Sequence, residues 1–170
     1  MRINQRPPLL YFLIIAGLVL LQTTLFRFIN LRGTSPDLVL IFLFFAAHFR
    51  GAMDGQLMGF MAGILEDCLG LGPFGFNTLI RTVIGFTAGL THGKIFFDSF
   101  VLPLAAVLTV GLLKQVLVFL LSVIFIKEAA GGVWGLGYWI EMGLTLVLTP
   151  VLYFLFRTLG FFVEKGRHII

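Results

Sequence analysis

The 170-residue sequence is 59% hydrophobic and only 12% charged, with a mean hydropathy of +1.05. Soluble domains run nearer half apolar and a quarter charged, so this composition excludes a soluble enzyme, a secreted disulfide scaffold and a disordered regulator. The formal charge of +4 is scattered between apolar runs and forms no stripe for nucleic acid, and the single Cys68 cannot form an internal disulfide. What remains is a membrane protein of one domain, residues 1–170, with room for about six short spans of roughly 20 residues. Its 20 phenylalanines fit that class, because Phe inserts favourably into hydrocarbon.

Arg2 and Arg6 precede an uncharged run over residues 9–26. No small-residue cleavage pattern follows it, so the run predicts an uncleaved first helix. Ser35-Pro36-Asp37 opens the second: Ser can cap, Pro suits the first turn, and Asp complements the positive end of the helix dipole. That span, 37–49, is short enough to raise a re-entrant segment as an alternative. Span three covers 52–69, and a Gly-Pro turn leads into span four, 74–90. Span five, 100–126, is long and must tilt or begin at the interface. Span six, 138–157, starts beside an aromatic anchor of Trp134, Tyr138 and Trp139. With six spans and the N-terminus inside, the inner segments hold Arg2, Arg6, Arg50, Lys94, Arg157, Lys165 and Arg167, and the outer loops Arg27, Arg32 and Lys127. The positive-inside rule then places both termini in the cytoplasm. A re-entrant span two would put Lys165 and Arg167 outside, which favours six full crossings. Residues 160–163 are expected to lie along the surface.

Gly55, Gly59 and Gly63 recur every fourth residue on span three, and span four answers with Gly75, Thr78, Thr82, Gly85 and Gly89. In lipid, close helix association relies on small residues that let backbones approach, so these spans predict an antiparallel hairpin packed on its small faces. Glu66 and Asp67 lie near the outer end of span three, and Arg81 lies roughly 10 Å below the turn, within reach of Asp67. Such a pair either pins the hairpin or forms a polar site for a ligand or a partner's helix, and the first reading is the stronger. Lys114 sits near mid-span, on a face with Gly111, Gln115, Val118 and Ser122; Glu66, Asp67 and Glu141 are its candidate counter-ions. Glu141, Thr145 and Thr149 share a face of span six near Pro150, where threonine-to-backbone bonding is the plainer explanation.

Catalytic patterns are lacking. Ser35, Ser99 and Ser122 sit in no nucleophile turn. Glu66 and Asp67 are neighbours that point about 100° apart on a helix, a poor catalytic dyad. His48, His92 and His168 are separate in sequence and expected near the cytoplasmic face, which argues against a metal site. Gly131-Gly132 lacks the Lys-Ser/Thr of a phosphate loop. No enzyme, cofactor or metal is expected.

Three stretches carry a family resemblance: Ser35-Pro36-Asp37-Leu38-Val39-Leu40 followed by Arg50-Gly51; Gly59-Phe60-Met61-Ala62-Gly63-Ile64-Leu65-Glu66-Asp67; and Gly72-Pro73-Phe74-Gly75-Phe76-Asn77-Thr78-Leu79. The sequence resembles the rod shape-determining protein MreD family, most strongly over residues 35–90. The resemblance maps the family's motif aspartate onto Asp67 and its glycines onto Gly59 and Gly63, whereas Lys114 and Glu141 match no motif. It implies a non-catalytic protein of the bacterial inner membrane, part of the cell-wall elongation machinery. Its implied partners are MreC, the actin-like MreB, and the glycosyltransferase and transpeptidase that build lateral peptidoglycan. It also implies a six-helix fold similar to the substrate-binding subunits of energy-coupling-factor transporters. A vitamin-binding subunit of such a transporter is therefore the alternative function. The short outer loops, poor in hydrogen-bonding side chains, favour the scaffold.

Overall fold

The computed structural model describes residues 8–24, 34–70, 73–94, 101–125 and 134–158. Among them the chain forms six helices and no strand: α1 (Pro8–Thr24), α2 (Leu38–Arg50), α3 (Ala52–Leu69), α4 (Phe76–Gly89), α5 (Val101–Phe125) and α6 (Leu136–Thr158). A helix thus lies at each of the six apolar segments. Crossing a membrane is a stricter condition: by length and composition α5 and α6 meet it, over Leu102–Phe125 and Leu136–Phe156. Helices α1 and α2 are apolar but shorter, and α3 is interrupted by Asp54, Glu66 and Asp67. The loop and terminal charges Arg2, Arg6, Arg27, Arg32, Lys127, Lys165 and Arg167 lie outside the described residues. So do His168, Ser99, Gly131-Gly132, Gly72 and the 160–163 segment; the side chain of Arg157 is likewise not described.

The short α2 is the axis of the bundle. Eleven of its 13 residues are buried, and it packs against every other helix. Its Phe42 meets Tyr11 of α1 and Phe156 of α6, while Phe45 meets Tyr153. A 13-residue helix spans about 20 Å, well short of a ~30 Å hydrocarbon core. Because neighbouring helices surround it, its ends meet their polar groups instead of lipid, and the shortness costs little. Gly51 alone joins α2 to α3, with φ 98° and ψ 176°, a conformation open essentially to glycine.

Helices α3 and α4 are packed backbone to backbone. A Cβ added to Gly59 would run into the carbonyl of Arg81, and one on Gly63 into the Cα of Thr78. Gly55 and Gly85 face each other, and Gly89 lies on Ala52. Five of the six expected packing glycines therefore sit where backbones touch, as helix association by small residues requires. Gly75 does not. A Cβ there would meet nothing within 4 Å; instead φ 93° makes it the left-handed N-cap of α4. A further close approach, Gly111 of α5 against the side chain of Met142, joins α5 to α6.

At the bundle end where α2 and α4 finish, His48 and His92 are neighbours despite their separation in sequence. Thr91 gives its hydroxyl proton to the Ala88 carbonyl at 2.6 Å, so it accepts from His48 Nδ1 at 2.7 Å. His92 Nδ1 donates to the His48 carbonyl, also at 2.7 Å. Beside them Arg50 pairs with Asp54 at 2.7 Å and lies over the Tyr11 ring, tying α1 to the α2–α3 joint.

Candidate functional site

At the opposite end, where α1, α3 and α5 finish and α2, α4 and α6 begin, five ionised side chains form one chain of contacts. Asp37 is its centre. As the N-cap of α2 it accepts the Leu40 N–H through Oδ1 at 2.9 Å, the capping task expected of Ser35, because the helix begins only at Leu38. The same Oδ1 accepts from Arg81 Nη2 at 2.9 Å, and Oδ2 accepts from Lys114 Nζ at 2.6 Å. Arg81 Nε and Nη2 grip both oxygens of Glu66, at 2.9 and 2.7 Å, in a bidentate fork. Lys114 Nζ also donates to Glu141 Oε1 at 2.5 Å. The order is Glu66, Arg81, Asp37, Lys114, Glu141, drawn from α3, α4, the α2 cap, α5 and α6.

The neutral groups around this chain hold it in register. The Asp37 N–H donates to Thr145 Oγ1 at 3.0 Å, and Thr145 in turn donates to the Glu141 carbonyl at 2.7 Å. Thr149 repeats that pattern on the Thr145 carbonyl, the threonine-to-backbone bonding expected near Pro150. Helix α1 joins through Gln22, whose Oε1 accepts the Val39 N–H at 3.5 Å. Every helix thus has a polar contact at this end.

Asp37 and Arg81 are almost wholly buried, with side chains 2% and 4% exposed. Burying ions this deeply is expensive unless each is paired and hydrogen-bonded. The network meets that condition by giving Asp37 two cations and each cation two carboxylates. Gln115 and Ser122, on the Lys114 face, are buried as well.

Two expected pairings are corrected. Arg81 does not pair with Asp67. That carboxylate turns to the open N-terminus of α4, accepting the N–H groups of Gly75, Asn77 and Thr78 at 2.9, 3.0 and 3.0 Å, and the Thr78 hydroxyl at 2.5 Å. A helix start carries unsatisfied donors and partial positive charge, and Asp67 supplies what they lack. Arg81 is left to Glu66 and Asp37. For Lys114, Glu141 is one counter-ion as expected, but the other is Asp37 in place of Glu66 or Asp67. Glu66 and Asp67 therefore serve different structures, the 100° between them aiming one at Arg81 and the other at α4. Sequence reasoning misses Asp37 because complementing the α2 dipole already accounts for it. The available signal is that Arg81 and Lys114, both in apolar surroundings, need more acid than their nearest neighbours supply.

A family profile described as rod shape-determining protein MreD matches residues 4–160, nearly the whole chain. The chain belongs to the MreD family. MreD membership carries a role in rod-shape determination and association with the membrane. No curated protein and no solved structure matches the chain. The residues that carry the MreD resemblance now have physical tasks. Asp37 joins four helices, Gly59 and Gly63 bring α4 onto α3, and Asp67 starts α4 beside them.

Proposed function

We propose that this MreD-family chain is a non-catalytic, multi-pass scaffold of the inner membrane. It binds MreC and, with it, MreB and the glycosyltransferase and transpeptidase of lateral wall synthesis. The observation that carries this reading is the division of labour within the bundle. Its intramembrane charges are spent on one another, while α5 and α6 turn long apolar faces outward. Leu108, Leu112, Phe119 and Leu120 on α5 and Val147, Val151, Phe154 and Leu155 on α6 are exposed. A rigid bundle with such faces suits side-by-side association with a partner's transmembrane helix. In this reading both termini are cytoplasmic, and the ionic end lies toward the periplasm.

The alternative is a vitamin-binding subunit of an energy-coupling-factor transporter, and one observation favours it: a polar cavity at the ionic end, about 270 Å³ in volume. That volume falls just below the ~300–1,000 Å³ common for drug-sized ligands, and its charged lining is already engaged in ion pairs. Both features weigh against a vitamin. Extraction of the full chain in mild detergent separates the readings. Co-purification of MreC, lost when Leu112 and Leu120 or Val147 and Val151 are replaced by Ala, supports the scaffold. A tightly bound vitamin without MreC would overturn it.

A further inference from the structure

Helix α4, with 14 residues, is almost as short as α2, about 21 Å against a ~30 Å hydrocarbon core. Unlike α2 it is not enclosed, since Leu79 and Phe86 lie exposed on its outer side. Beside it α3 presents Met53, Leu57 and Phe60, also exposed. The height of this shared face is limited at both ends. Asp54, 42% exposed and paired with Arg50, marks one end; Gly70, where α3 stops, marks the other, about 24 Å away. The exposed Gln56 carries the polar boundary further inward. Helices α5 and α6, by contrast, have 25 and 23 residues, about 37 and 34 Å. The two mismatches differ in kind. A helix that is too long can tilt until it fits, whereas one that is too short only loses height by tilting. Nor can α3 and α4 slide apart to gain height, because Gly55 sits against Gly85 and Gly59 against the Arg81 carbonyl, which fixes their register. The adjustment falls to the bilayer.

We propose that the α3–α4 face holds the adjoining bilayer about 6 Å thinner than its bulk, while α5 and α6 meet it at full thickness. The partner of this surface is a lipid phase of short hydrocarbon, and the chain is a local membrane-thinning element as well as a scaffold. A thinned strip also favours the approach of other short-spanning helices, which share the deformation. The inference rests on the multi-pass reading above.

The test places the full chain in vesicles of dimyristoleoyl-, dioleoyl- or dierucoyl-phosphatidylcholine, in order of increasing thickness. Nitroxide labels mark the two ends of the face: one on the native Cys68, exposed at the ionic end of α3, the other on Met53→Cys in a Cys68→Ser background. A third, on Leu112→Cys in the same background, marks the outer face of α5. Oxygen partitions into hydrocarbon and a nickel chelate stays in water, so access to each reads the depth of a label. Both end labels should keep the same nickel access in all three lipids, with the Leu112 label in hydrocarbon throughout. End labels that lose nickel access several-fold as the chains lengthen would reveal an unthinned bilayer and overturn the proposal. Shielding from both reagents would overturn it as well, by showing that protein covers the face. Nickel access at the Leu112 label would sink the multi-pass reading itself. The unfolding midpoint of the unsubstituted chain should fall from dimyristoleoyl to dierucoyl lipid, because thinning costs more as the bilayer thickens; the reverse order would also refute the thinning.

Discussion

Asp37 holds two jobs that a single substitution can separate. In Asp37→Asn the side-chain oxygen still caps the Leu40 N–H at the 2.9 Å position, and Asn caps helices as well as Asp does. The charge is lost, and an amide NH2 is set where Oδ2 now lies 2.6 Å from Lys114 Nζ, donor against donor. Breaking a buried ion pair costs about 3–5 kcal/mol. Arg81 keeps Glu66 and Lys114 keeps Glu141, which places the expected loss at about 3 kcal/mol, the lower end of that range. That is a large share of a stability of about 5–15 kcal/mol, so folded yield should fall with it. Asp37→Ala should cost about 1 kcal/mol more, the worth of the cap. Denaturant unfolding in detergent, followed by Trp134 and Trp139 fluorescence, measures both variants. Combining Asp37→Asn with Lys114→Met should reveal a coupling of about 1 kcal/mol or more. If Asp37→Asn lies within about 0.5 kcal/mol of wild type while Asp37→Ala costs about 1, Asp37 is a cap only and the network reasoning fails.

Gly59→Ala should already destabilise the α3–α4 hairpin by about 1–3 kcal/mol, because the new methyl meets the Arg81 carbonyl and backbones must part; Gly59→Leu should lower folded yield further. Unchanged melting of Gly59→Ala would contradict that contact. Asp67→Asn keeps an acceptor for the α4 amides and should cost less than Asp67→Ala, which leaves three N–H groups unserved; the same unfolding assay ranks them. Lys114→Met should lower the stability of the isolated chain, since its counter-ions Asp37 and Glu141 lie within it; normal stability with selective loss of MreC capture would assign Lys114 to a partner instead. Reporter fusions after Ile170 and within residues 94–98 should read cytoplasmic, and one within 127–137 periplasmic. A periplasmic C-terminus would overturn the six-span topology.

The sequence by itself determined where the six helices lie and which glycines bring α3 onto α4. Both are periodic properties of contiguous residues: an apolar run announces a helix, and a four-residue glycine repeat puts its members on one face. It also singled out Glu66, Arg81, Lys114 and Glu141, since ionisable groups in apolar runs stand out wherever they fall. The tertiary structure alone decided who pairs with whom. Asp37 and Lys114 are 77 residues apart, and Asp37 and Arg81 are 44 apart. No local period links them. Asp37 was legible only as an acid complementing the α2 dipole, because its ion-pairing task exists only once α4 and α5 pack against α2. Gly75 was misread for a related reason: the four-residue rhythm places it on the packing face, yet it precedes the first turn of α4, where backbone angle and not helical phase governs. The central position of α2 was equally hidden. A short apolar helix reads alike whether lipid or five other helices surround it, and only the packing that buries it tells the two apart.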